Sequence, residues 1–303
     1  MSEALLEATL RLTAPLLLAA LGELWVERAG VVNIGIEGTM LFGAFVGFAV
    51  AVATGSAPAG VAAAGLAGTC VGGLFASFAV LRGADQIVVG TAVNLLALGA
   101  TALASRALWA GAPPTAPRIA PVFDAAGADL PLLGAALLRQ TPFAWAGLAL
   151  AVASGIALHA TRAGLRLRAV GEAARAADAE GVPVARTRAL AVLLGSPLAG
   201  VAGSALSLSL SDTFSEGMTA GRGFIALAIV IFGRWRASGV LFASLFFGGA
   251  TALQFRLQAR GVGVPYPMFL MLPYLLTLAV LAVASGRARA PGDLGRPYRR
   301  EAA

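Results

Sequence analysis

The feature that most constrains this chain is a recurring window of about 20 mostly apolar residues, which at 1.5 Å per residue is the helical length that crosses roughly 30 Å of hydrocarbon. Nine such windows lie between polar punctuation, at approximately 8–27, 30–53, 59–81, 86–108, 142–161, 189–210, 218–233, 237–257 and 267–285. Composition agrees, because the 303 residues are 58% hydrophobic and only 12% charged, about half the roughly 25% charge of soluble chains. One aqueous core cannot hide that much apolar surface. The fold class that follows is all-α, a polytopic transmembrane helical bundle of about nine spans with a range of eight to ten, built as a single domain over 1–303. Residues 109–141, with Pro113, Pro114, Pro117, Pro121 and Pro131, are too polar for a span and read as an extracytoplasmic loop.

All 22 basic residues are arginine, which excludes a P-loop lysine, a Schiff-base lysine and the lysine of a Ser-Lys dyad. With one histidine (His159) and one cysteine (Cys70) there is no two-His metal motif, Cys-rich zinc site, Ser-His-Asp triad or intramolecular disulfide. Neither enzymatic chemistry nor a cofactor bound by this chain is expected. The net charge of +7 would suggest nucleic acid in a soluble protein, but these arginines sit between apolar runs and read as topology signals. Membrane lipid, not nucleic acid, is the expected surroundings. With nine crossings and the N-terminus outside, one face receives 15 of the 22 arginines, including Arg28, Arg82, Arg162, Arg188, Arg234, Arg236 and Arg296. Cytoplasmic loops carry such an excess, so the C-terminus and the loop 162–188 are expected in the cytoplasm. The acidic start around Glu3 and Glu7 lacks the positive region of a signal peptide and is expected in the mature protein.

Two windows do not look like simple lipid-facing helices. Residues 30–43 carry Gly30, Gly35, Gly38 and Gly43 with Asn33 and Glu37 at membrane depth; residues 214–224 carry Gly217, Gly221 and Gly223, followed by only about a dozen apolar residues before Arg234. Both predict interrupted helices, which membranes tolerate only where the broken backbone is buried in protein or lines an aqueous path. Glu37-Gly38-Thr39-Met40 also resembles Glu216-Gly217-Met218-Thr219, and the two segments cross in opposite directions, as inverted repeats would.

On the arginine-rich side, Glu172–Glu180 contains strong helix formers and ends at Gly181 and Pro183, which predicts one short helix. Nine residues span only about 13 Å, below the roughly 12–15 residues at which an isolated helix is marginal in water. Either the bundle or a partner must hold it; composition alone favours a solvated cytoplasmic hairpin whose arginines only set topology.

The run Leu21–Ala44 (LGELWVERAGVVNIGIEGTMLFGA) resembles the signature of inner-membrane permease subunits of ABC importers for nucleosides and simple sugars, within the branched-chain amino acid and ribose permease superfamily. So do Arg168–Glu172 (RAVGE), Gly181–Val184 (GVPV), Glu216–Ala228 (EGMTAGRGFIALA), Ile231–Arg234 (IFGR) and Leu272–Leu275 (LPYL), in order along nearly the whole chain. The resemblance implies a permease that moves nucleosides by alternating access, with simple sugars as the alternative cargo. It also implies an ABC ATPase subunit that binds ATP and Mg, an extracytoplasmic substrate-binding protein, and a second permease in a heterodimer rather than a homodimer. The loop 162–188 then looks like the coupling segment, with Gly171, Glu172, Ala173, Ala174 and Gly181 as its docking residues. Glu172-Ala-Ala174 departs from the strict motif of other importers, which places glycine four residues after the second alanine, so their docking register cannot be copied.

Glu37 is the foremost pathway candidate, since a carboxylate at membrane depth costs on the order of 2.5–3.5 kcal/mol and faces a cavity or a partner. The alternative is that it accepts hydrogen bonds from the freed backbone of a broken helix. Asn33 and Asn94 offer a donor and an acceptor each, as substrate contacts or as interhelical glue. Glu216 and Arg222, near the outer end of their window, gate the path, meet the binding protein or pair with each other. An ion-driven secondary transporter would share the broken helices but would need no coupling helix.

Overall fold

The computed structural model describes residues 3–110, 112–123, 138–259 and 289–298, together with Met268, Met271, Leu275 and Leu278. The described chain is all-helical. Helix α1 covers Glu3–Arg28, α2 Ile36–Thr54 and α3 Ala57–Phe75, which runs on as a π-helical stretch over Ala76–Leu81. Then come α4 Gln86–Trp109, α5 Pro142–Ala160, α6 Arg162–Glu172, α7 Ala174–Ala179 and α8 Val184–Ala205, the last extended by π-helical Leu206–Leu210. Helices α9 (Arg222–Phe232) and α10 (Ala237–Ala259) follow. Local sequence sets several of these ends: Asp85 accepts from Ile87 N and Val88 N to start α4, Thr161 accepts from Gly164 N to start α6, and Gly55 closes α2 at φ +67°.

Among the described residues, seven helices are long and apolar enough to cross a membrane: α1, α2, α3, α4, α5, α8 and α10. The window 218–233 is not a full span, because only Arg222–Phe232 is helical, about 16 Å of rise. It is a half-helix entered by irregular backbone. The window 30–53 is likewise broken, its helix beginning only at Ile36. The interrupted segments expected at both places are therefore present. The window 267–285 and the LPYL motif lie outside the described residues, apart from the four isolated positions above.

Arg28, Arg188 and Arg296 meet at one end of the bundle. Arg28 Nε donates to Trp235 O at 2.7 Å, while Arg188 donates from Nε to Ala29 O at 3.1 Å and from Nη1 to Arg296 O at 2.7 Å. At the opposite end Gln140 Nε2 reaches Glu7 O at 3.4 Å and Ile119 N donates to Leu208 O at 3.0 Å.

Helix α8 is the central post, packed on α1, α2 and α3 through small residues. A Cβ at Gly195 would collide with Gly22 O, one at Gly43 with Gly200 O, and one at Gly200 with Ala64 O. The Gly68/Gly72 face of α3 packs on Ser196 and Gly200 of α8, so this small-residue pair serves packing within the chain. Backbones this close leave no place for a methyl group. Gly200→Ala is expected to destabilise the fold by about 1–3 kcal/mol, the usual cost of overpacking, read as a lower thermal midpoint of the detergent-solubilised protein.

Candidate functional site

Helix α4 supplies a ruler for depth. Gln86 Oε1, at its start, accepts from Val32 N at 2.8 Å; Asn94, about 12 Å further along the axis, accepts from Gly38 N at Oδ1 (2.7 Å) and donates from Nδ2 to Ile34 O (3.0 Å). Arg106 lies about 18 Å beyond that. The irregular stretch 30–35 thus climbs from the arginine-rich end, and α2 starts roughly midway along a span. Asn94 satisfies the backbone on both sides of the break.

Helix α9 starts at the same level and runs the other way. Glu37, in the first turn of α2, accepts from Gly221 N at Oε1 (2.8 Å) and from Gly223 N at Oε2 (2.6 Å). Gly221 sits at φ +82°, and a Cβ on Gly223 would lie 2.5 Å from Glu37 Cα. Two helix N-termini, each equivalent to about half a positive charge, therefore abut with one carboxylate between them. This is the backbone-satisfying role that the sequence allowed for Glu37. The freed N–H groups belong to the other interrupted segment.

Asn33 is buried beside this junction, its backbone N–H donating to Glu23 Oε1 at 2.9 Å, while its Oδ1 makes no hydrogen bond among the described residues. Glu216 stands apart at the outer end, where Arg106 grips it with two bonds, Nε to Oε1 at 2.7 Å and Nη2 to Oε2 at 2.8 Å. Hydrogen bonding to Arg106 holds the Glu216 carboxyl below its ordinary value. Its partner is therefore Arg106; Arg222 Nη1 bonds Met218 O and Thr219 O instead. The structure thus brings Asn33, Glu37 and Asn94 together and leaves Glu216 at the surface.

Sequence reasoning missed Glu23 and Glu27, four residues apart on α1 and only 1% and 2% exposed. Glu23 pins Asn33 of one broken segment; Glu27 Oε2 accepts from Trp235 Nε1 at 2.5 Å, at the end of the other. The rule that flagged Glu37 applies equally to two acids inside the first apolar window.

At the arginine-rich end, the single helix expected over Glu172–Glu180 is divided. Glu172 ends α6, Ala173 is extended at φ −153° and ψ 85°, and the short helix is Ala174–Ala179. The break follows from an acceptor outside the local sequence, Asp293 Oδ2, which takes Ala174 N at 2.7 Å. Of the five expected docking residues, Gly171 and Ala174 face inward: Gly171 lies against Arg28 O, and Ala174 packs with Ala177, Val170 and Val184. Glu172, Ala173 and Gly181 are exposed, as are Arg175, Ala176, Ala179 and Glu180.

A bundle of spans with two broken helices meeting near mid-depth, and a short helix displayed at its arginine-rich end, has the build of a membrane transport protein. The chain belongs to the family described as branched-chain amino acid transport system / permease component, which matches residues 5–281. It is 37% identical to a Haloferax volcanii protein provisionally named a glucose ABC transporter permease, over 98% of both chains. Identity is 36% to a guanosine ABC transporter permease of Bacillus subtilis, over 96% of this chain and 95% of the relative. A nucleoside ABC transporter permease of Lactococcus lactis is 34% identical, over 94% and 93%. No solved structure matches the chain. The protein is accordingly a multi-pass ABC permease subunit and not an enzyme, and this family works with an ATPase and a substrate-binding protein.

Removing the shared carboxylate leaves two N–H donors unmet. Glu37→Ala is expected to lower stability by roughly 2–4 kcal/mol, from two hydrogen bonds to a charged group, and Glu37→Gln, which keeps one acceptor oxygen, by less. Thermal midpoints of the solubilised variants check that order.

Proposed function

We propose that this chain is the permease subunit of an ATP-driven importer that carries nucleosides across the cytoplasmic membrane by alternating access. The observation that carries the cargo class is that Glu37 occupies the mid-depth N-terminus of α9, while Asn94 takes Gly38 N at the start of α2. In transporters whose half-helix N-termini are open, those positive ends hold the anionic group of the substrate. Here the protein's own carboxylate fills that place, which suits an uncharged cargo. Nucleosides and sugars qualify, whereas a branched-chain amino acid brings a carboxylate of its own. The named cargoes of the relatives, guanosine, nucleosides and glucose, are all uncharged, and the glucose relative keeps simple sugars as the second reading.

Helix α7 is the coupling helix in this reading. Its inner face, Ala174 and Ala177, is held by the bundle, and its outer face offers the small residues Ala176 and Ala179 to a cleft in the ATPase. ATP and Mg belong to that partner, and a second permease subunit completes a heterodimer. The excess of arginine supports a cytoplasmic position for this end, and with it residues 289–298. The pathway runs past the junction of Asn33, Glu37 and Asn94, with Glu216 at its outer mouth.

Uptake of labelled adenosine, uridine and ribose by the native host, its gene deletion and the complemented deletion tests the cargo. Loss of nucleoside uptake alone is expected; loss of ribose uptake alone moves the protein to the sugar reading, and survival of all three removes the nucleoside assignment. Ala176→Trp tests the coupling helix. Its indole on the exposed face is expected to abolish uptake while membrane abundance stays at the wild-type level, and normal uptake would sink the assignment of α7.

A further inference from the structure

Helix α7 has six residues, far too few to persist by itself, and the residue before it, Ala173, has no side-chain acceptor to cap it. Residues 291–298, at the other end of the sequence, supply what it lacks. Asp293 Oδ2 accepts from Ala174 N at 2.7 Å, Asp293 N donates to Gly171 O at 2.9 Å, and Gly292 N reaches Glu172 Oε2 at 3.3 Å. Tyr298 packs against the cluster of Val170, Ala174, Ala177 and Val184 beneath α7. The same strand of chain also holds the first broken segment. Gly295 N donates to Gly30 O at 3.1 Å, and buried Arg188 clamps Arg296 O and Ala29 O together.

A single residue, Leu294, therefore separates the group that caps α7 from the group that bonds Gly30. Gly30 opens the irregular stretch that ends on Glu37 and the mid-depth junction. We propose that residues 291–298 form a strap that transmits displacement of the coupling helix to the 30–35 segment, with Asp293 as the positioning residue that holds α7 at the required angle. The strap acts in parallel with the covalent path through α6 and α8. Like Gly171 of α6, which packs against Arg28 O and Gly30, it reaches the broken segment without passing through the long rigid spans. This inference rests on the reading of α7 as the coupling helix.

The test uses the importer purified as the assembled complex and reconstituted in liposomes, comparing wild type with Asp293→Ala, Asp293→Asn and Ala176→Trp. Asp293→Ala is expected to cut uptake per assembled complex by roughly fivefold or more, the change in helix population that a lost cap produces, while ATP hydrolysis without the binding protein continues. Amide exchange over Ala174–Ala179 should quicken in that variant and stay unchanged in the spans. Asp293→Asn keeps an acceptor oxygen and should restore uptake to near the wild-type rate. Wild-type uptake by Asp293→Ala, with Ala176→Trp inactive, overturns the strap and leaves the coupling helix standing. Wild-type uptake by both variants removes the coupling helix and the strap together. Equal losses in Asp293→Ala and Asp293→Asn, in proportion to a loss of assembled complex, would mark Asp293 as a folding residue only and overturn its positioning role.

Discussion

A helix that begins inside a bilayer leaves N–H groups without partners and a partial positive charge in a medium that cannot screen it. This protein begins two helices there, α2 and α9, and answers the N–H groups of α9 with the carboxylate of Glu37 and Gly38 N of α2 with Asn94. The arrangement needs every member: glycine at 223 for the close approach, glycine at 221 for the left-handed turn, and Asn94 to satisfy the backbone around the other break. Parting the two helices would strand a carboxylate and two donors at mid-depth, at several kcal/mol. The junction therefore behaves as one piece on which the irregular segments hang.

Helix α1 fixes the far ends of those segments. Glu23 holds Asn33, Glu27 holds the Trp235 indole, and Arg28 bonds the Trp235 carbonyl. The two breaks are thus closed into a loop of contacts, joined to each other at mid-depth and to one helix near the arginine-rich end. Around this loop α8 packs at glycine distances, so that little of the bundle's middle can yield without moving as a unit.

Much of this was legible in the sequence, and the failures share a cause. Windows of about 20 apolar residues gave the spans, and clustered glycines with a polar residue at depth marked the two breaks, because both signals are local. The length of α9 was not legible, since a dozen apolar residues look alike whether they end a span or make half of one. Nor was the break at Ala173, whose cap comes from Asp293, 119 residues beyond Ala174. The resemblance between Glu37 and Glu216 misled in register. Glu37 lies in the first turn of α2, whereas Glu216 precedes α9 by six residues and faces Arg106. What the sequence did carry is the opposed direction of α2 and α9. Glu23 and Glu27 escaped because averaging over an apolar window dilutes two acids that act one at a time.

The junction at mid-depth and the short helix α7 at the arginine-rich end are the two parts on which the proposed transport rests. Glu37 binds α2 and α9 into one body. The most direct measurement is an experimental structure of the assembled importer in nucleotide-free and nucleotide-bound states. The contacts from Gly221 N and Gly223 N to the Glu37 carboxylate are expected to persist in both, with α2 and α9 displaced together. A state in which the carboxylate leaves α9, turning instead to cargo or to water, would contradict it.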